Sequence, residues 1–168
     1  MLHISVTGHR PPKLGGYAPC EKHRAIRRHM RELLTKLKKE HGEITLYSGG
    51  ANGIDQFWME VGHYLEIPVV AILPFPSFDK LWPAEGRKHF RELLDKCVEV
   101  RYTNVDSEIT DKSRAVQAIL KRDKELVRVC DLFVAYWNGT KGGTAHTVGF
   151  ARDANKPMNV FNPDEISM

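Results

Sequence analysis

Six short runs of β-branched and apolar residues alternate along the chain with longer segments of helical period, and that alternation limits the possible folds more than any other feature. The runs occupy residues 2–7, 44–48, 69–74, 98–102, 132–137 and 158–161, and helices are predicted over 20–40, 54–65, 84–96, 112–130 and 144–154. The first helix repeats apolar residues at Ile26, Met30, Leu33, Leu34 and Leu37, which is one face of a 3.6-residue period. Strand, helix, strand in repeated succession is the unit of a parallel sheet wrapped by helices. Parallel crossovers are right-handed and sequential strands tend to pair, so the expected order is 4-3-2-1-5-6. The reading is α/β: a Rossmann-like, doubly wound, mainly parallel sheet forming one domain over 1–168, with strand order reversing between strands one and five. Irregular structure is expected over 8–19, 75–83, 103–111 and 138–143.

Composition is consistent with this. The chain has 168 residues, 42% hydrophobic and 27% charged, enough to bury a core without a metal or disulfide staple. Cys20, Cys97 and Cys130 are odd in number and contain no CxxC pair, which argues against a disulfide framework and a zinc site. A reduced, cytoplasmic setting is expected. No run of 18 or more apolar residues occurs and residues 1–10 do not read as a leader, so neither a membrane span nor an export signal is expected. The net charge is +4, which raises the question of nucleic acid. Its distribution weakens that idea. Residues 21–40 hold eight Lys and Arg against three Glu, a local +5, and the remainder sums to −1.

The polar and glycine-rich signals all fall at carboxyl ends of strands, where open α/β sheets bind ligands. After strand two come Ser48, Gly49, Gly50, Ala51, Asn52 and Gly53, leading into a helix that begins near Asp55. Glycines let the backbone approach a phosphate, and a helix amino terminus favours an anion. A plain tight turn is the alternative. Asp55 suits the helix dipole or a ribose hydroxyl, and Glu60, about 140° further round the helix, is not expected to pair with it. After strand five, residues 138–144 repeat the arrangement, with Gly142, Gly143 and Thr144, the last a natural N-cap. Two such loops would face one crevice and offer N–H donors to the same volume, pointing to a phosphate-bearing ligand. Strand one ends in Gly8, His9 and Arg10. Arg10 suits a bidentate phosphate clamp, whereas His9 suits a local hydrogen bond better than chemistry. Trp82 is either a stacking surface over the crevice or a loop anchor. Arg122 and Asp123 read most simply as a surface ion pair. The eight histidines show no metal spacing, and neither a Walker loop nor a GxGxxG fingerprint is present, so no metal and no cofactor is expected.

In order, residues 6–11, 48–56, 69–75 with Trp82 and Pro83, Arg122-Asp123 through Asp131, and 134–145 resemble the YspA/YpsA-like branch of the SLOG superfamily, which joins the SMF/DprA proteins and the Lonely-guy phosphoribohydrolases. The resemblance covers essentially the whole chain. It implies a Rossmann-like fold whose strand-end loops bind a nucleotide or nucleotide derivative, in a branch often phage-encoded and proposed to sense or process nucleotide ligands. Lonely-guy hydrolases use an arginine matched by Arg122 and a glutamate whose position here holds Thr147; nucleoside deoxyribosyltransferases put their glutamate there too. A hydroxyl supplies no charge to a cationic transition state, so glycosidic cleavage by the family route would need Asp55 or Asp123 as a substitute. Three readings follow: a nucleotide-binding module, which leads; an N-glycosidase or phosphoribohydrolase; and single-stranded nucleic-acid binding through the basic helix, which lacks interleaved aromatics and is not the expected partner. A homo-oligomer is expected.

Overall fold

The computed structural model describes residues 1–105 and 109–168; of the irregular stretch expected over 103–111, residues 106–108 lie outside the described residues. Six strands, β1 (Leu2–Gly8), β2 (Ile44–Ser48), β3 (Val69–Leu73), β4 (Glu99–Tyr102), β5 (Leu132–Tyr136) and β6 (Met158–Phe161), alternate with α1 (Glu21–His41), α2 (Ile54–Tyr64), α3 (Ala84–Asp95), α4 (Lys112–Val129) and α5 (Gly143–Asp153). Two short 3-10 turns, Pro11–Lys13 and Pro163–Glu165, lie in segments with no predicted element. The sheet has the order β4-β3-β2-β1-β5-β6 with every pairing parallel.

Side chains alternate across the strands with period two, and both faces are covered. Ile4, Val6, Leu46, Ala71, Leu73, Val134 and Tyr136 meet α1, α2 and α3 on one side. Tyr47, Val70, Ile72, Phe133 and Ala135 meet α4 and α5 on the other. The apolar face read from α1 is the one that is buried, through Ile26, Met30, Leu34 and Leu37.

The sheet runs outward from β1 to β4 and then returns to lay β5 against β1, with Thr7 opposite Ala135 and Gly8 opposite Tyr136. The chains leave β1 and β5 in opposite directions, toward α1 and α5 on opposite faces, and a crevice opens between their carboxyl ends.

Candidate functional site

A cavity of about 320 Å³ occupies that crevice. The end of β1 supplies Thr7, Gly8, His9 and Arg10, and the following turn adds Pro12 and Lys13. Ala51 comes from the loop before α2 and Asp55 from its first turn, Ile119, Arg122 and Asp123 from α4, and Gly142, Gly143, Thr144 and Thr147 from the N-cap and first turns of α5. Most of the residues that sequence reasoning singled out therefore share one cavity.

The glycine loop after β2 behaves differently from the expectation. Its amides turn inward: Gly50 N–H donates to Ser48 Oγ, Ala51 N–H to Asp55 Oδ2 at 3.2 Å, Gly53 N–H to Asn52 Oδ1 at 2.9 Å, and Ile54 N–H to the His9 carbonyl at 3.2 Å. Ser48 Oγ in turn donates to the Asp55 carbonyl at 2.8 Å. Satisfied in this way, these amides are not available to an anion. Ser48, Gly49, Gly50, Asn52 and Gly53 are not among the residues that line the cavity. Gly53 has φ of +94°, and a Cβ there would stand 2.5 Å from the His9 carbonyl oxygen, so the turn seats α2 directly against the end of β1. Gly49 makes room for a different group. A Cβ on it would lie 2.7 Å from the Arg122 guanidinium, whose Nη1 donates to the Gly49 carbonyl.

Arg122 and Asp123 are not on the surface, as a simple ion pair would be. Both side chains are nearly buried, with Arg122 Nε donating to Asp123 Oδ1 at 2.7 Å and the guanidinium 5.6 Å from the Phe78 ring centre. The helix brings both residues, with Ile119 one turn earlier, to the face that meets the cavity. Asp55 is only 8% exposed, and burial pushes its carboxyl up to about 6, against the pull of Arg122 and with the Asp123 charge adding to the rise. One oxygen of each carboxylate is engaged, Asp55 Oδ2 by Ala51 and Asp123 Oδ1 by Arg122. The others, Asp55 Oδ1 and Asp123 Oδ2, have no partner among the described residues. Glu60 points elsewhere, to Arg27 at 2.6 Å and His89 at 2.8 Å.

The end of β1 and the start of α5 add cations and backbone N–H groups to the same lining. α5 begins at Gly143, one residue earlier than predicted, so the N-cap is Gly142 with no capping side chain, and Thr144 lies in the first turn. The first N–H groups of the helix thus meet the cavity uncapped. The Thr144 hydroxyl is also without a partner among the described residues, in a side chain 8% exposed, and Thr7 is in the same state. Thr147 donates to the Gly143 carbonyl at 3.1 Å. Arg10 is exposed at the rim. Lys13 Nζ donates to Thr140 Oγ1 and to the Lys141 carbonyl, each at 2.8 Å, tying the turn after β1 to the loop after β5. His9 makes the second tie. Its Nε2 sits 2.8 Å from Asn138 Oδ1 and 3.0 Å from the Asn138 amide nitrogen, and burial holds the imidazole below its usual value.

Trp82 lies outside the cavity. It packs on Phe78 and Phe90, with ring centres 5.3 and 4.9 Å apart, and is the anchor of the β3–α3 loop; Phe78 is the aromatic of that loop that reaches Arg122. Sequence reasoning met Thr7 and Ala51 only as members of their strand-end motifs and did not single out Pro12, Lys13 and Ile119 as lining residues. Only Ile119 carried a usable signal, its helical spacing from Arg122 and Asp123.

A second surface lies on the far side of α1. Arg24, Arg27, Arg28 and Arg31 border a shallow groove of about 400 Å³ with Tyr64, which is 72% exposed. The helix carries no aromatic on this face, and α2 supplies one. Among the described residues no cluster of three or more His, Cys, Asp or Glu is positioned to share a metal ion, and no helix is long and apolar enough to cross a membrane.

Comparison with known proteins finds that the family model for DNA recombination-mediator protein A matches residues 21–167. An uncharacterized SPbeta prophage-derived protein of Bacillus subtilis (strain 168), YoqJ, is 25% identical over 135 residues, covering 72% of this chain and 74% of that protein. DNA processing protein A from Helicobacter pylori, whose structure describes a single-stranded DNA binding mode, is similar in fold with a TM-score of 0.65, at 20% identity over 95% of this chain and 64% of that one. The Streptococcus pneumoniae protein of the same name gives a TM-score of 0.67 at 14% identity, over 95% of this chain and 50% of that one. The chain thus spans between half and about two thirds of those two solved chains.

Proposed function

The chain belongs to the DNA recombination-mediator protein A family, and from that premise and the geometry of the cleft we propose that it is a binding module for a nucleotide-type small molecule held through its phosphate. The observation that carries this reading is the uncapped amino terminus of α5 at Gly142–Thr144, facing the same cavity as Arg10 and Lys13. Backbone N–H groups at a helix start, the helix dipole and two cations make a phosphate subsite. The cavity volume of about 320 Å³ suits a mononucleotide-sized ligand. Thermal shift and titration calorimetry against mononucleotides, dinucleotides and ADP-ribose test it. A ligand at 100 times its Kd should add roughly 2.7 kcal/mol of stability, and no response to any of them would refute the reading. Chromatography of the same samples separates binding from N-glycosidase chemistry, for which released base is the signature and Asp55 or Asp123 the available carboxylate.

The groove of Arg24, Arg27, Arg28 and Arg31 beside the exposed Tyr64 supports a second reading, single-stranded nucleic acid bound on α1. Arginines repeat along a helix face at one-turn intervals, and a neighbouring aromatic offers a stacking surface. The described ligand of the H. pylori relative makes this reading worth testing. Fluorescence anisotropy of a labelled oligothymidylate at several salt concentrations is the test.

A further inference from the structure

We propose that Asp55 and Asp123 read the vicinal hydroxyls of a ribose, so that the cleft accepts ribose phosphates and discriminates against their 2′-deoxy counterparts. This deepens the nucleotide reading above and rests on it. Each carboxylate belongs to a residue 8% exposed, lines the cavity, and has one oxygen held by the protein and the other unpartnered among the described residues. Neither free oxygen is among the sealed, unpartnered polar atoms of the described residues, so both open onto the cavity, and a ligand that displaces solvent from them must offer hydrogen-bond donors in its place. An apolar group would leave both oxygens unpaired, and a second phosphate would be repelled.

Two classes of ligand offer paired donors, a vicinal diol and an ammonium-type cation. Charge decides between them. Arg10, Lys13 and Arg122 against Asp55 and Asp123 leave the lining with a net +1. A phosphate ester with a neutral diol complements that charge, whereas a zwitterion carrying its own ammonium group would not. The unpartnered hydroxyls of Thr144 and Thr7 complete the set: Thr144 stands beside the α5 amides where the phosphate is expected, and Thr7 lies at the end of β1 on the floor of the crevice. The lining thus asks for two things at once, an anion at the start of α5 and hydroxyl donors at Asp55 and Asp123.

The test uses the unaltered protein. Dissociation constants are measured by calorimetry for AMP, GMP, CMP and UMP and their 2′-deoxy counterparts, with ribose 5-phosphate and 2-deoxyribose 5-phosphate as base-free probes and phosphoethanolamine as the ammonium-bearing phosphate. The expected result is binding of at least one ribonucleotide about tenfold or more tighter than its 2′-deoxy counterpart, as loss of a hydrogen bond to a charged group implies. In Asp123→Asn and Asp55→Asn proteins that retain the wild-type circular dichroism spectrum, this ratio should collapse toward one. Equal affinity for the ribo and deoxy members overturns the diol assignment and leaves the phosphate cleft standing. Tighter binding of phosphoethanolamine than of ribose 5-phosphate overturns it in favour of a cation. If no phosphate compound binds, the nucleotide reading falls with it.

Discussion

Asp55 is held where its charge is disfavoured, with a carboxyl near 6 against 3.8 in an unperturbed side chain. The sign of the pH dependence follows from linkage. Between about pH 4 and 6 the folded protein retains a proton that the unfolded chain has released, so this residue's contribution to stability falls as pH rises through that window and is level above it. Asp55→Asn should therefore stabilise the protein above pH 6 by up to about 3 kcal/mol, since each tenfold change in proton affinity is worth about 1.4 kcal/mol, with the gain fading toward pH 4. Denaturant midpoints of both proteins at pH 4, 5, 6 and 7 check this, and a difference constant with pH would contradict it. Such a residue is the kind retained for a ligand at the expense of stability. Gly53 is the opposite case, demanded by the fold. With φ of +94° and the His9 carbonyl 2.5 Å from a Cβ position, Gly53→Ala should destabilise by about 1–3 kcal/mol in the same measurement. The sequence marked both residues but left the glycine loop open between a phosphate cradle and a plain tight turn into α2. Which of its amides remain free depends on where Ser48, Asn52, Asp55 and the His9 carbonyl stand, and only the Asn52 hydrogen bond is between adjacent residues.

Two elements with similar sequence signatures do different work. α2 and α5 both begin after a glycine-rich strand end and both lack a capping side chain, but α2 is backed against β1 while α5 opens onto the cavity. Charge removed beside α5 should therefore affect ligand binding more than folding. Lys13→Ala is expected to weaken nucleotide binding about tenfold, the scale of one lost charge-assisted hydrogen bond, and to cost about 1 kcal/mol of stability at most, because its two hydrogen bonds to the β5 loop are solvent-exposed. The β3–α3 loop gives the converse. Trp82 is half-buried between Phe78 and Phe90, so Trp82→Ala should cost roughly 2 kcal/mol of stability and leave the nucleotide Kd unchanged. A weakened Kd without loss of stability would return Trp82 to the stacking role. The Trp82 sequence context was ambiguous because a loop aromatic looks the same whether it covers a site or fills a gap behind one. Arg122-Asp123 was ambiguous for a related reason: adjacent charges on a helix read as solvated until Gly49 and Phe78 are found to enclose them.

Charge distribution across the molecule separates two surfaces, the cleft with a few individual cations and the outer face of α1 with a stripe of them. If the stripe takes single strands, affinity should fall steeply between 50 and 200 mM salt, and Arg24→Ala/Arg28→Ala/Arg31→Ala should lower the slope by about two, near 0.7 for each phosphate no longer neutralised, without changing nucleotide affinity in the cleft. A salt-independent signal, or one abolished by altering the cleft instead, would contradict that assignment. The six strands, their order and the crevice between β1 and β5 were legible beforehand, because buried parallel strands must be apolar runs and right-handed crossovers leave few ways to order them. Element ends, by contrast, shifted by a residue or so, and for α5 that shift moved Thr144 from the cap into the first turn. Local pattern and chirality were thus enough to decide which faces are buried and where along each strand the ligand side lies, because both act over a few residues. Which groups stay unsatisfied inside the cleft is a sum over partners far apart in the chain, such as Arg122 with Gly49 and Lys13 with Thr140, and only the tertiary structure decided it.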